Sequence, residues 1–307
     1  MFQCSRLIGV ALLLLQLASG GAEGGTAATD GLSTDSATTQ TAVKALQMQL
    51  VFPGAQSRGQ LNARIYPPAG CELVILDGPD GTKIVGLLGS PIAKAGTHPP
   101  PSLLYFYGNG MCMADSLSEF NQFRRLGFNV IVVDYEGYGM SGGEPSEQGC
   151  YAAADAAYDY LLTRNDVDKE RIVAVGWSLG AAVAIDLASR KHVAGLATFS
   201  AFTNISDMGR VLSPGHVEID LGCQFDNLAK IGSVSCPIFM AHGTADQLVP
   251  PEMLDRLAKA AKSKVTIARV SGAGHNDIFQ QGGDSLYQQV GAFVSALPPR
   301  QPTTEPR

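Results

Sequence analysis

Six short, continuously apolar segments separated by stretches of helical character constrain this chain more than any other feature. They occupy residues 103–107, 129–133, 171–175, 195–199, 237–241 and 264–268. Each is too short for a buried helix, and apart from 264–268 they do not alternate apolar with polar residues as a strand with one wet face does. Such runs are strands covered on both sides, the signature of a mainly parallel sheet. Helical spacing fills the intervals at residues 116–126, 147–163, 178–189, 252–262 and 285–296. A hairpin precedes them, with strands at 72–76 and 83–88 flanking Gly78-Pro79-Asp80-Gly81. Alternation of this kind predicts an α/β fold, a mostly parallel twisted sheet with helices on both faces. Ligands of open α/β sheets collect at the carboxyl ends of the strands, so the residues that follow each strand are the ones to read for chemistry.

The chain has 307 residues, 45% of them apolar and 16% charged, with a net charge of −6. That fits one large core. Without a basic run it lacks the electrostatic footprint of a nucleic-acid binder. Arg6, the apolar run 7–18 and the small residues 18–22 read as a cleaved export signal over residues 1–22. The alternative is an uncleaved anchor, but a bilayer span needs ~20 apolar residues and this run is shorter. The expectation is a secreted or periplasmic protein with no membrane span in the mature chain. Residues 23–45 and 298–307 have too few apolar anchors to offset ordering entropy and read as a disordered tether and tail. A single domain remains over residues 46–297. Loss of Cys4 with the signal would leave Cys71, Cys112, Cys150, Cys223 and Cys236. An odd number cannot pair completely; Cys223–Cys236 is a conceivable disulfide and buried thiols are the alternative. No Cys/His cluster points to a metal, and no cofactor is expected.

Gly176-Trp177-Ser178-Leu179-Gly180 follows the third of the six strands and opens a helix. A Gly-x-Ser-x-Gly pentapeptide is weak evidence alone and strong in this strand–turn–helix setting, which makes Ser178 the candidate nucleophile and the Leu179 N–H a candidate oxyanion donor. The competing role is an ordinary helix N-cap serine. A serine hydroxyl needs a base. Of five histidines, His275 in Gly272-Ala273-Gly274-His275-Asn276-Asp277 lies in a glycine-rich loop after the last strand, whereas His242 ends a strand and reads as structural. Asp246 in Gly243-Thr244-Ala245-Asp246 is the acid that would orient it, with Asp207 as rival. The order Ser178, Asp246, His275 is that of α/β-hydrolases and not of chymotrypsin-type or subtilisin-type proteases.

The second oxyanion donor should come from the loop after an early strand, here Tyr107-Gly108-Asn109-Gly110, with the Asn109 backbone N–H as candidate. Met111, Cys112 and Met113 follow and are candidates for lining an acyl pocket with adaptable side chains. The glycine-rich stretch 134–143 lacks the spacing and lysine of a phosphate cradle and reads as a loop shaping one wall of the site.

Taken in order, Gly108-Asn109-Gly110, Asp134 to Ser141, Gly142-Gly143-Glu144-Pro145, the pentapeptide, Phe225-Asp226-Asn227, His242 to Asp246 and Gly274 to Asp277 resemble the small, nearly capless α/β-hydrolases that include protein depalmitoylases and many bacterial members. The resemblance covers residues 74–297. It implies an α/β-hydrolase fold with a minimal cap, an acyl-enzyme mechanism on Ser178, Asp246 and His275, and Asn109 and Leu179 as backbone donors. Two positions depart from the pattern: Tyr107 stands where the family has His, and Glu136 where it has Arg. The expectation is therefore a serine hydrolase of carboxylic esters or thioesters acting on a small-molecule or acylated substrate. A peptidase-like amidase and a non-catalytic binding protein on the same scaffold are the rival readings.

Overall fold

The computed structural model describes residues 51–92, 99–212 and 223–297. The expected export signal, tether and tail lie outside these residues, as do His98 and His216. Eight strands form one sheet: β1 (Cys71–Asp77), β2 (Lys83–Gly89), β3 (Ser102–Phe106), β4 (Asn129–Val133), β5 (Ile172–Trp177), β6 (Gly195–Phe199), β7 (Ile238–Gly243) and β8 (Val265–Val270). Their order is β1-β2-β4-β3-β5-β6-β7-β8. β1 and β2 form the expected hairpin, β2 runs antiparallel to β4, and every other pairing is parallel. All six apolar segments are strands of this sheet; β3, β6 and β7 are buried along their whole length, and β5 is buried up to Gly176.

Helices α1 (Leu117–Arg125) and α7 (Ile278–Ser295) pack together on one face. Helices α2 (Glu147–Thr163), α3 (Leu179–Arg190), α5 (Asn227–Ile231) and α6 (Glu252–Ala260) pack in a row on the other. The segment between β6 and β7 carries α4 (Ile205–Leu212) and α5. Helix α7 begins seven residues earlier than its sequence pattern indicates. Buried Ile278 anchors its first turn, and Gly283, at φ 49°, breaks the helical geometry where the pattern reads as loop. No disulfide joins Cys223 to Cys236. Burial pushes the Cys236 thiol up to about 12, as expected of a small core residue. Among the described residues no helix is long and apolar enough to cross a membrane.

Candidate active site

Ser178 stands between β5 and α3 with φ 56° and ψ −117°, a conformation that costs a non-glycine residue about 1–3 kcal/mol. The turn can be this tight because its neighbours lack side chains. A Cβ on Gly180 would collide with the carbonyls of Phe106 and Tyr107 at the end of β3, and one on Gly176 with the Gly180 carbonyl. The Ser178 N–H donates to Phe199 O at 2.9 Å, which ties the turn to β6. The hydroxyl makes no N-cap bond to its helix. It lies instead 2.9 Å from His275 Nε2.

His275 and Asp246 come from the loops after β8 and β7. Those loops are stitched together by Ala245 N–H to Ala273 O at 2.9 Å and Gly272 N–H to the Thr244 hydroxyl at 2.9 Å. His275 Nδ1 is 2.8 Å from Asp246 Oδ2. The carboxylate is an acceptor, so Nδ1 carries the proton and Nε2 is free to accept from Ser178. Asp246 is 4% exposed. Its Oδ1 accepts from the amides of Leu248 at 3.0 Å and Val249 at 2.8 Å. Burial alone would raise its pKa, but bonds from His242, His275 and the Val249 amide outweigh that and hold it well below the ordinary carboxylate range.

The rival acid, Asp207, is elsewhere. It lies in α4, bonded to Thr203 and ion-paired with Arg210 and Arg256, and these partners overcome its desolvation and lower its pKa. The Leu179 N–H opens α3 and has no acceptor within that helix. The Asn109 N–H makes no bond to any other described backbone group. Gly180 lets α3 press against the end of β3, at Phe106 and Tyr107, just before the loop that carries Asn109. The Asn109 side chain is itself clamped: its Nδ2 donates to Val51 O at 2.5 Å, and its Oδ1 accepts from the Gly110 N–H and the Tyr138 hydroxyl.

The expected pocket residues need correction. Met113 has no exposed surface and Cys112 is 3% exposed, its thiol turned to the Asp115 carboxylate, so both are core. Their amides explain why: Cys112 N–H binds Asp115 and Met113 N–H binds Asp134, so the chain turns inward. Only Met111 keeps partial exposure.

Three residues matter more than their sequence setting indicated. His242 Nε2 lies 2.9 Å from Val249 O and 3.3 Å from Asp246 Oδ2, making it a second imidazole on the same carboxylate. Its place at a strand end, four residues before the acid, is the only signal the sequence offers. Asp134, buried after β4, accepts from the Tyr107 hydroxyl at 3.0 Å, Met113 N–H at 2.7 Å and Met140 N–H at 2.8 Å. It fastens the loop after β3 to the loop after β4, and burial raises its pKa against the pull of those donors. The Tyr107 departure is thereby accommodated, because its hydroxyl reaches this carboxylate. Glu136 lies beside Gly143 and Gly149, and burial, reinforced by Asp80, raises its pKa. Trp177, third of the three, has its indole ring 5.7 Å from the His275 ring and 6.3 Å from Phe279.

Fold and site together define an α/β-hydrolase. Residues 142–289 match the dienelactone hydrolase family. An uncharacterized protein of Mycobacterium tuberculosis is 35% identical over 232 residues, covering 74% of this chain and 80% of that one. The alpha/beta hydrolase domain-containing protein aho-3 of Caenorhabditis elegans is 34% identical over 178 residues, covering 58% of this chain and 53% of that one. Among solved structures, an esterase of Pyrococcus furiosus superposes with a TM-score of 0.61 at 19% identity, over 73% of this chain and 89% of that one. The chain belongs to the α/β-hydrolase superfamily and carries a dienelactone hydrolase family domain. That membership supports hydrolysis, with esters as the substrate class.

Proposed function

We propose that the protein is an exported serine hydrolase that cleaves carboxylic esters or thioesters through an acyl-enzyme. The observation that carries this reading is the bond of 2.9 Å between His275 Nε2 and the hydroxyl of a strained Ser178, with Asp246 fixing the opposite face of the imidazole. Ser178 Oγ attacks the acyl carbonyl while its proton passes to His275 Nε2. The carbonyl π electrons move onto oxygen, and the amides of Asn109 and Leu179 are the donors that receive it. Asp246 stabilises the imidazolium so formed. As the tetrahedral intermediate collapses, the bond to the leaving group breaks and His275 returns its proton to that group. A water then repeats the sequence, with His275 as base, and releases the acid. Strain at Ser178 favours this use of the residue, because a serine serving only as a helix cap needs no positive φ.

Covalent labelling tests the assignment. A fluorophosphonate probe should label the wild-type protein and leave Ser178→Ala unlabelled. Labelling that survives the substitution contradicts it. A panel of p-nitrophenyl esters and matching thioesters of graded acyl length would then define the substrate class.

A further inference from the structure

The one tryptophan of the chain sits at the site and has no part in the mechanism above. Its ring is held from three sides. Gly108 of the loop after β3 packs against it so closely that a Cβ there would lie 2.8 Å from the indole carbons. The His275 ring faces it at 5.7 Å between centroids, inclined by 33°. Phe279, at the start of α7, meets it edge-on at 6.3 Å. Phe279 is in turn stacked on Tyr287 at 5.7 Å and packed on Phe199 at 4.7 Å, so the indole is backed by the aromatic core. The indole N–H is shielded from solvent and has no acceptor among the described residues. Leaving such a donor unpaired costs about 1–3 kcal/mol, so hydrogen bonding is not what keeps a tryptophan here.

We propose that Trp177 is a positioning residue that holds the His275 imidazole at its working distance from the loop after β3 and stabilises the imidazolium formed when Ser178 gives up its proton. This rests on the hydrolase reading above. A cation within about 6 Å of an indole centroid is attracted by the ring quadrupole. His275 meets that condition only after it has taken the proton, so the contact is stronger in the transition state than in the resting enzyme, and only such contacts raise kcat. The charged group facing His275 from the other side is Asp246. The second imidazole, His242, lies beyond that carboxylate. The expected contribution is a factor of about 3 to 30 in kcat.

The position of Trp177 supplies its own reporter. An imidazolium against an indole quenches its fluorescence, and this chain has no other tryptophan to mask the signal. Emission of the intact protein should fall on acidification, as His275 takes a proton. The transition should persist in Ser178→Ala and vanish in His275→Asn. A flat titration in the wild type, or an unchanged transition in His275→Asn, overturns the proposal without any change at Trp177 itself. With p-nitrophenyl butyrate, Trp177→Leu should lower kcat by about 3- to 30-fold with KM within about twofold, and Trp177→Phe should recover most of the loss. Trp177→Leu with wild-type kcat, or Trp177→Phe as impaired as Trp177→Leu, also overturns it. Failure of the hydrolase reading looks different: the fluorophosphonate probe then leaves the wild type unlabelled while the fluorescence transition remains.

Discussion

Asp246→Asn changes one atom and, on this geometry, should disable the site without unfolding the protein. Each Asp246 oxygen has two donors: the Leu248 and Val249 amides on Oδ1, and His275 Nδ1 and His242 Nε2 on Oδ2. An asparagine keeps one acceptor oxygen. Two backbone amides cannot be satisfied by an NH₂ group, so that oxygen stays on their side. The new NH₂ then faces both imidazoles. His242 Nε2 must carry hydrogen, because its other partner, Val249 O, only accepts. One donor therefore meets another there. His275 Nδ1 becomes the acceptor, its proton moves to Nε2, and Nε2 can no longer take the proton of Ser178. In Ser-His-Asp hydrolases the wrong tautomer costs about 10⁴ in kcat, equivalent to about 5 kcal/mol. Loss of the charge-assisted bonds should cost stability as well, about 2–3 kcal/mol, or roughly 4–12 °C in Tm. The assay is steady-state hydrolysis of p-nitrophenyl butyrate, with a thermal melt to show that the variant is folded at the assay temperature. A folded Asp246→Asn protein whose kcat stays within about tenfold of wild type would refute the reasoning, since His275 would then not owe its tautomer to Asp246.

Three further outcomes follow from the same contacts. The Asp246 pKa is depressed in the folded protein, so its contribution to stability is complete above the unfolded value of about 3.9 and is lost as pH falls below it toward the folded value. Tm should therefore fall more steeply below about pH 5 in the wild type than in Asp246→Asn, whereas Asp134, raised by burial, acts in the opposite sense in both proteins; parallel curves would remove Asp246 from the account. Replacing His242 by Leu takes one donor from Asp246 and should lower kcat about 3- to 30-fold, and His242→Gln, which can still offer an N–H, should be closer to wild type; equal losses in kinetic assays would mean that only the shape of the side chain matters. Asp134→Ala strands the Met113 and Met140 amides and the Tyr107 hydroxyl, and should lower stability by about 3 kcal/mol, roughly 6–12 °C in a thermal melt. A melt within 2 °C of wild type, taking about that much as the least a lost bond of this kind gives, would mean that water replaces the carboxylate at no cost.

What the sequence determined by itself is the sheet and the turns that follow its strands. Strands β3 to β7 are legible because burial on both faces demands nearly unbroken apolar runs, a requirement local enough to be seen in five or six residues; β8, at the sheet edge and mostly exposed, is marked only by its β-branched residues. Ser178 is legible for a related reason: the close approach of α3 to β3 and β5 requires glycine on either side of it, and such a demand leaves a mark in sequence. Tertiary structure decided what depends on the distance between segments remote in the chain. Ser178 and His275 are 97 positions apart, and their bond of 2.9 Å joins the turn after β5 to the loop after β8, which Ala245 and Ala273 tie to the loop after β7 that carries Asp246. Met113 and Cys112 look like pocket residues until Asp134 and Asp115 turn the backbone inward. His242 reads as an ordinary strand-end residue, because its share of Asp246 depends on a side-chain direction that no spacing rule gives. Trp177 occupies the variable position of a pentapeptide, and only the fold lays its ring between Gly108 and His275. Residue types record what a position needs from its immediate backbone; which groups meet across the site is set by the packing of strands and loops.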